Sequence, residues 1–255
     1  MPESSTQIHA CRWPDLPEPY NLALRQAVQF ILGYVPDIQG ILVSGTILRG
    51  HPSPSSDLDI YVLRYKSERQ RLQRWFNGVP AEIFINPVKQ VRAYLIRERK
   101  SARPITAHML HTGFTILAVD DCLDALQQQA ALELAHPPDP SPQQLTMTRY
   151  LAATRYEDAT DVAQSNPETA LMILEQAVYT MLQYAFLQAN RYIPRDKDLL
   201  EALEGLDADL AQSALSFYRG NTISDRFTMA HNIMEKTIKT PGFFAWDSNP
   251  EELAL

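Results

Sequence analysis

The sequence has only two cysteines, Cys11 and Cys122, and they lack the paired spacing of a zinc site. We therefore expect both thiols to be reduced, as is usual inside cells. No apolar run approaches the roughly 20 residues that span a bilayer, and the first residues lack the charged-then-apolar order of a secretion signal. These absences predict a cytoplasmic protein without a membrane partner.

Basic residues are also in the minority, since 23 lysines and arginines stand against 30 aspartates and glutamates, for a net charge of -7. Nonspecific nucleic-acid binding depends on basic surface, so this balance argues against nucleic acid as a partner. It does not exclude a local basic patch. The hydrophobic share of 45% and the charged share of 21% predict a folded globular protein rather than a disordered one.

The first half of the chain alternates between strand and helix patterns. We predict strands over 40–45, 57–63 and 81–86, and helices over 20–35, 66–76, 87–99, 104–113 and 121–134. Asn77 and Gly78 are interpreted as the end of the helix that precedes them. Interleaved strands and helices predict a mixed β-sheet flanked by helices.

A proline-rich segment separates the two halves. Residues 136–142 have the sequence HPPDPSP, with four prolines in seven positions, which is typical of a linker. Beyond it, helical periodicity runs over 143–164, 167–190, 196–204, 207–219 and 222–238, with breaks at proline or glycine. The chain is therefore predicted to be α+β, with a first domain over 1–135, a linker over 136–142 and an all-α helical bundle over 143–255.

The stretch from 41 to 62 brings two carboxylates close together. It reads as a strand, a small-residue turn, a loop and a second strand that carries Asp57 and Asp59. Successive side chains of a strand point to opposite faces, so these two aspartates share one face and Leu58 and Ile60 occupy the other. Carboxylate oxygens are hard ligands that suit Mg²⁺, which keeps positions open for water and phosphates. We therefore predict a divalent cation at Asp57 and Asp59.

Other residues extend this constellation. Ser44, Gly45 and Thr46 form a tight turn whose backbone N–H groups are suited to phosphate oxygens, with no Cβ at Gly45 in the way. Glu82 on the next strand would complete a carboxylate triad, while Arg49 is either a phosphate contact or an exposed loop arginine. Metal ions held here would stabilise an in-line displacement at phosphorus.

At these residues the sequence resembles the nucleotidyltransferase superfamily that includes DNA polymerase beta and the aminoglycoside nucleotidyltransferases. That superfamily has Gly followed by Ser, a spacer of about ten residues, and Asp-hydrophobic-Asp. Here Ser44-Gly45-Thr46 is followed by ten residues and then Asp57-Leu58-Asp59-Ile60. Ser44 replaces a large apolar residue and Thr46 replaces the commoner Ser, but the hydroxyl is kept.

The resemblance implies a nucleotide-binding mixed sheet and transfer of a nucleoside monophosphate, AMP from ATP, to a hydroxyl. By the same likeness, two Mg²⁺ ions would bind at Asp57 and Asp59, and Glu82 would be either a third metal ligand or the general base. The helical half is similar in layout to the kanamycin- and streptomycin-modifying branch. In that branch a lysine after a proline reaches the triphosphate, which implies a role for Lys197, and relatives often build the acceptor site across a homodimer.

The acceptor is less well defined by the sequence. The acidic balance favours a cationic small molecule such as an aminoglycoside, and a protein hydroxyl is a second option. Candidate acidic partners for such a cation lie on the predicted helices of the second half, namely Glu157, Asp158, Asp161 and Glu175. Arg103 and Thr106, at the start of a predicted helix, are candidates for contact with an anion.

Two alternatives stay open. Arg226 and His231 have the Arg-then-His spacing of the RNase motif in HEPN domains, which would make the bundle an RNA-directed nuclease of a toxin–antitoxin pair and the first half a regulatory domain. The position after Arg226 is Phe227, where that motif commonly has a polar residue. The second alternative is a nucleotide-binding protein that keeps the fold without turnover.

Overall fold

The computed structural model describes residues 8–50, 52, 53, 55–248 and 250, and of Arg49 only the backbone. The chain divides into two compact units. Unit 1 comprises Met1–Arg99 and Pro104–His136, and unit 2 comprises Lys100–Arg103 and Pro137–Leu255. Each unit has its own hydrophobic core, and the two are described separately.

Unit 1 is built on a five-stranded mixed sheet. Its strands are β1 (Ile38–Ser44), β2 (Leu58–Arg64), β3 (Gln70–Phe76), β4 (Val79–Pro87) and β5 (Phe114–Ala118). They lie in the order β3-β4-β2-β1-β5, with β2 and β4 parallel and every other neighbouring pair antiparallel. The predicted mixed sheet is confirmed.

Helices cover both faces of this sheet. They are α1 (Tyr20–Tyr34), α2 (Val88–Lys100), α3 (Ile105–Thr112) and α4 (Cys122–Ala135). The period-2 pattern of β2 places Ile60 and Val62 in the core shared with α1, and Tyr61 and Leu63 against α2, α3 and α4. All four side chains are buried, which fixes the register of the central strand.

Two strands differ from the sequence prediction. The predicted helix over 66–76 is wrong, because Gln70–Phe76 forms edge strand β3 and pairs with β4. Asn77 and Gly78 both have positive φ, 47° and 75°, and they form the two-residue turn of a β-hairpin rather than a helix end. Strand β5 was not predicted, although the short apolar run after Gly113 is a strand signal.

Unit 2 is helical, as predicted. Its helices are α5 (Pro142–Val162), α6 (Pro167–Gln188), α7 (Leu199–Glu204), α8 (Ala208–Arg219) and α9 (Ile223–Lys236), with a 3₁₀ turn at Asp196–Asp198. Ser141, Asn166 and Asp207 each cap a helix by accepting a backbone N–H through the side chain, and Thr222 forms a capping box with Asp225. The sequence therefore sets most helix starts locally. The α+β class is confirmed.

Helix α6 is the most apolar long helix among those described. By length and composition it could cross a membrane, yet half of its apolar window is buried within the structure. Leu174, Val178, Met181 and Leu182 belong to the core of unit 2. A core helix of a globular bundle passes the same length test, so these packed side chains explain its apolar character.

Candidate functional site

A row of polar residues crosses the sheet of unit 1. Ser44 on β1 pairs with Asp59 on β2, Asp59 pairs with Glu82 on β4, and Glu82 pairs with Gln73 on β3. Residues at matched positions of neighbouring strands point to the same face. Asp59 and Glu82 therefore share the face that α2, α3 and α4 cover in part, and we call these four residues the Asp59 row.

Asp57 lies directly before β2 and two residues from Asp59. Both aspartates are half-buried, whereas Leu58 between them is fully buried with Ile60 on the opposite face. Alternation along the chain thus places two carboxylates at the start of a strand whose other side is anchored in the core. The backbone of β2 is held rigid by that burial, which fixes where the carboxylates can lie.

The turn after β1 lies against one of these carboxylates. Gly45 has φ 106° and ψ -175°, a conformation that residues with a side chain rarely adopt. A β-carbon built on Gly45 would lie 3.1 Å from Oδ2 of Asp59. The chain then enters a short 3₁₀ turn, Thr46–Arg49, in which the Leu48 amide donates to the Gly45 carbonyl. Glycine is therefore needed here for both conformation and space.

Glu82 is bound by two side chains of the neighbouring strand. The Arg71 guanidinium donates to Oε2 at 2.6 Å, and the Gln73 amide donates to Oε1 at 2.5 Å. Arg71 also lies over the ring of Phe84, 5.0 Å from its centroid. Sequence reasoning missed Arg71 and Gln73 because it predicted β3 as a helix. The Asn77-Gly78 hairpin turn was the signal that would have found them.

The donor chemistry of Asp57 and Asp59 fits a hard cation. Both offer only carboxylate oxygens, they share one side of β2, and Gly45 leaves the space beside Asp59 open. The Glu82 oxygens accept hydrogen bonds from Arg71 and Gln73 of β3. Asp57 and Asp59 are therefore the candidate ligands of a cation, and Glu82 could join them only by exchanging one of these bonds.

A different group of possible metal ligands lies at the other end of the sheet. Among the residues that the structure describes, Asp120, Asp121 and Cys122 have ligand atoms all within 4.8 Å of one another. Asp120 accepts the Cys122 amide at 3.0 Å, and its second oxygen accepts from Gln39 and Tyr65 at 3.2 Å. The Cys122 amide is the main cause that lowers the Asp120 pKa. These bonds stabilise the start of α4.

The remaining predicted site residues belong in part to unit 2. Lys197 is exposed in the 3₁₀ turn of unit 2, and the side chain of Arg49 lies outside the described part of the chain. Arg103 donates to Asp196 at 2.9 Å and to the Tyr179 hydroxyl at 3.0 Å, within unit 2. The predicted acidic partners are exposed side chains of α5 and α6, namely Glu157, Asp158, Asp161 and Glu175.

Arg226 and His231 have different partners. Arg226 forms an ion pair with Glu175 at 2.8 Å and donates to the Gly220 carbonyl at 3.2 Å. His231 lies 3.4 Å from the Tyr156 hydroxyl through Nδ1. Five positions on a helix turn through about 500°, so the two side chains project about 140° apart. They do not form a common site in this arrangement.

Unit 1 contains an open cavity of about 520 Å³ beside the Asp59 row. Two residues beyond Asp59 and Glu82 on their strands, Tyr61 pairs with Phe84, and Phe84 pairs with Arg71. These three residues line the cavity. The tyrosine and phenylalanine rings are stacked, with centroids 6.0 Å apart. Arg69, Tyr94 and Arg97 line it further out, and Thr106 lies at its inner end, where the side chain is buried.

Comparisons with known proteins identify the fold. No protein-family model matches the chain, and no curated protein matches it. Among solved structures, it is similar to a nucleotidyltransferase-like protein from Exiguobacterium sibiricum, with a TM-score of 0.53 and 16% sequence identity. The match covers 85% of this chain and 73% of that one. The chain therefore has a nucleotidyltransferase-like fold, a mixed sheet flanked by helices and followed by a helical unit.

Proposed function

We propose that the protein is a Mg²⁺-dependent nucleotidyltransferase that transfers a nucleoside monophosphate from a nucleoside triphosphate, ATP, to a hydroxyl group. The observation that carries this proposal is the contact between the Gly45 turn and the Asp59 carboxylate, with Asp57 beside it on β2. A turn that exposes backbone next to paired carboxylates suits a metal-bound phosphate chain.

Each residue of the site has a distinct part in this proposal. Asp57 and Asp59 would hold Mg²⁺, which when bound neutralises phosphate charge and orients the transferred group. The backbone amides after Gly45 would bind phosphate oxygens, since no side chain blocks their approach. The acceptor oxygen then bonds to the α-phosphorus as the bond to pyrophosphate breaks, and the hydroxyl proton leaves to a base or to solvent.

Glu82 is the candidate to receive that proton or to bind a second ion. It lies in register with Asp59 on the adjacent parallel strand, which places it on the same face of the sheet. A base must come within hydrogen-bond reach of the acceptor hydroxyl. Because Arg71 and Gln73 now bind both Glu82 oxygens, either role requires at least one of these bonds to be exchanged.

The test uses the position of a radioactive label. The full chain is incubated with Mg²⁺, a panel of hydroxyl-bearing acceptors, and ATP labelled on either the α- or the γ-phosphate. Transfer of the α-label without the γ-label, abolished by EDTA, is the expected result. Transfer of the γ-label would indicate a phosphotransferase and would contradict the proposal. Nucleotide binding without any transfer would favour the alternative of a binding protein.

The nuclease alternative has no comparable support. Arg226 is engaged with Glu175 and Gly220, and His231 faces Tyr156. A metal-independent RNase needs its Arg and His to meet at one phosphate. RNA cleavage lost in His231→Ala and kept in Asp57→Asn would be needed to revive it.

A further inference from the structure

The cavity of unit 1 lies next to the proposed chemistry on the same face of the sheet. Tyr61 follows Asp59 by two positions on β2, and Phe84 follows Glu82 by two positions on β4. Two residues of a strand span about 7 Å. A molecule on Tyr61 and Phe84 could therefore place a hydroxyl over Asp59 and Glu82 without leaving unit 1.

Positive charge is concentrated in this cavity although the whole chain is acidic. Three arginines line it, Arg69, Arg71 and Arg97, against one carboxylate, Glu98. Among the described residues, neither Arg69 nor Arg97 forms an ion pair with a carboxylate, so their charge is available to a ligand. Guanidinium groups gathered in this way are typical of sites for phosphate and carboxylate.

Aromatic rings hold these arginines in place. Tyr94 accepts a hydrogen bond from Arg69 at 2.6 Å, and Arg97 lies over its ring at 4.9 Å from the centroid. Arg71 lies over Phe84 in the same manner. A guanidinium stacked on a ring keeps in-plane N–H groups free to donate to an anion. The arrangement reduces the entropy that these flexible side chains would lose on binding.

The buried part of the cavity lining is polar and hydrogen-bonded. Glu98 accepts both the amide and the hydroxyl of Thr106 at 2.7 Å, and burial raises the pKa of this carboxyl. Asn86 donates to the Tyr61 hydroxyl at 3.2 Å. Buried polar groups of this kind give a site specificity for the ligand's own polar groups.

We propose, on the basis of the proposed function, that this cavity is the acceptor subsite and that the acceptor is a small molecule with a phosphate or carboxylate besides its reacting hydroxyl. Its volume of about 520 Å³ is in the range of small-molecule sites. This local charge favours an anionic acceptor over the cationic one that the net charge of the chain predicts.

Arg71 couples this subsite to Glu82. The same guanidinium lines the cavity and forms the ion pair with the Glu82 carboxylate. An anion in the cavity competes with Glu82 for Arg71. When the acceptor anion binds Arg71, the Glu82 oxygen that Arg71 held becomes free beside the acceptor hydroxyl. Glu82 is thereby released only when the acceptor is present.

The donor triphosphate is the other source of phosphate that could enter the cavity, so the experiment must separate the two. Calorimetry on the full chain measures binding of phenyl phosphate, with benzyl alcohol as the neutral control and kanamycin as the cationic one. Titrations are repeated with Arg69→Gln, Arg97→Gln and the matched control Arg92→Gln, an exposed arginine of α2 outside the cavity lining. Every titration is repeated in the presence of saturating Mg²⁺ and α,β-methylene-ATP, which occupies the donor site.

We expect phenyl phosphate alone among the three probes to bind. Loss of one arginine should weaken it by about tenfold, as expected for one charge-assisted hydrogen bond, whereas Arg92→Gln should leave it unchanged. Binding unaffected by the nucleotide analogue supports an acceptor subsite. Three results would overturn the acceptor subsite. They are competition between phenyl phosphate and the nucleotide analogue, an equal loss of affinity in Arg92→Gln, and no binding of phenyl phosphate at all. The assay measures no turnover, so a failure here is separate from a failure of α-label transfer.

Discussion

The Asp59 carboxylate borders the space that a Gly45 side chain would fill, since a β-carbon built on Gly45 would lie 3.1 Å from Oδ2 of Asp59. The turn after β1 and the carboxylate of β2 thus depend on each other for position. This contact joins the two halves of the sequence motif, which are ten residues apart in the loop. Changes at the turn should therefore act on the carboxylate.

Gly45→Ala tests this dependence. The added β-carbon would lie 3.1 Å from Oδ2 of Asp59, so the carboxylate or the turn must shift by a few tenths of an ångström. Because small misplacements of catalytic groups are costly, we expect turnover to fall by about tenfold. The backbone conformation of Gly45, φ 106° and ψ -175°, would also lower the free energy of unfolding of the alanine variant by about 1–3 kcal/mol.

Gly50→Ala is the control for a positive φ without the Asp59 neighbour, since Gly50 has φ 83° and no neighbouring atom within 4 Å of its added β-carbon. Gly50 is in the left-handed region, which alanine tolerates better than the Gly45 conformation, so Gly50→Ala should lose less stability. Normal transfer in Gly50→Ala would show that the effect of Gly45→Ala is local to the Asp59 site.

Arg71→Gln tests the link between the cavity and Glu82. The variant removes the charge that binds Glu82 and lines the cavity, so we expect KM for an anionic acceptor to rise by about tenfold. Its melting temperature should fall only slightly, because the Arg71 side chain is 61% exposed and ion pairs of exposed side chains contribute about 0–1 kcal/mol. Arg74→Gln is the control on the same strand, as Arg74 packs on Phe30 instead. An unchanged KM in Arg71→Gln would contradict the coupling.

The ion pair of Asp37 and Arg64 gives a prediction about stability and pH. Burial alone would raise the Asp37 pKa, but hydrogen bonds from Arg64 and the Lys66 amide outweigh it and the pKa is lowered from 3.8. A carboxyl whose pKa is lowered on folding stabilises the protein above its unfolded pKa and loses that contribution as pH falls through the folded value.

Asp37→Ala should therefore lower the free energy of unfolding by about 2 kcal/mol at pH 7, through the loss of charge-assisted hydrogen bonds. The difference in free energy of unfolding between Asp37→Ala and the natural protein should become smaller when the pH falls below 3.8, the pKa of the carboxyl in the unfolded chain. Urea unfolding measured between neutral pH and pH 3 checks this. Glu68→Ala, which removes the exposed second partner of Arg64 at 3.5 Å, should have little effect. If Asp37→Ala lowered the free energy of unfolding by the same amount at every pH, the ionised Asp37 carboxylate would not be the source of the stabilisation.

The sequence predicted the central strands and most helices because their apolar patterns are local. β2 is an apolar run that is buried on both faces from Ile60 onward, and only Asp59 at its start is partly exposed. The prediction of β3 failed because an edge strand exposes most of its side chains. Only Leu72 and Phe76 of β3 are partly buried, and they are four residues apart. That spacing is also the spacing of a helix face.

The candidate site was predictable in its residue types but not in its contacts. Alternation and spacing indicated Asp57, Asp59, Glu82 and Gly45. No local pattern indicated that Arg71 would bind Glu82, because that ion pair depends on which strand lies at the edge of the sheet. The arginine cavity was missed for the same reason, since its lining comes from elements distant in sequence.

The role of Asp57 as a ligand of Mg²⁺ is tested by α-label transfer in Asp57→Asn, which keeps the size of the side chain and removes its charge. Asp124→Asn, an exposed residue of α4, is the matched control. We predict that Asp57→Asn lowers Mg²⁺-dependent transfer by at least about 100-fold, with unchanged circular dichroism, because lost electrostatic stabilisation of the transition state has that size. Transfer at the rate of the natural protein in Asp57→Asn would show that Asp57 holds no essential metal ion and would rule out the proposed site.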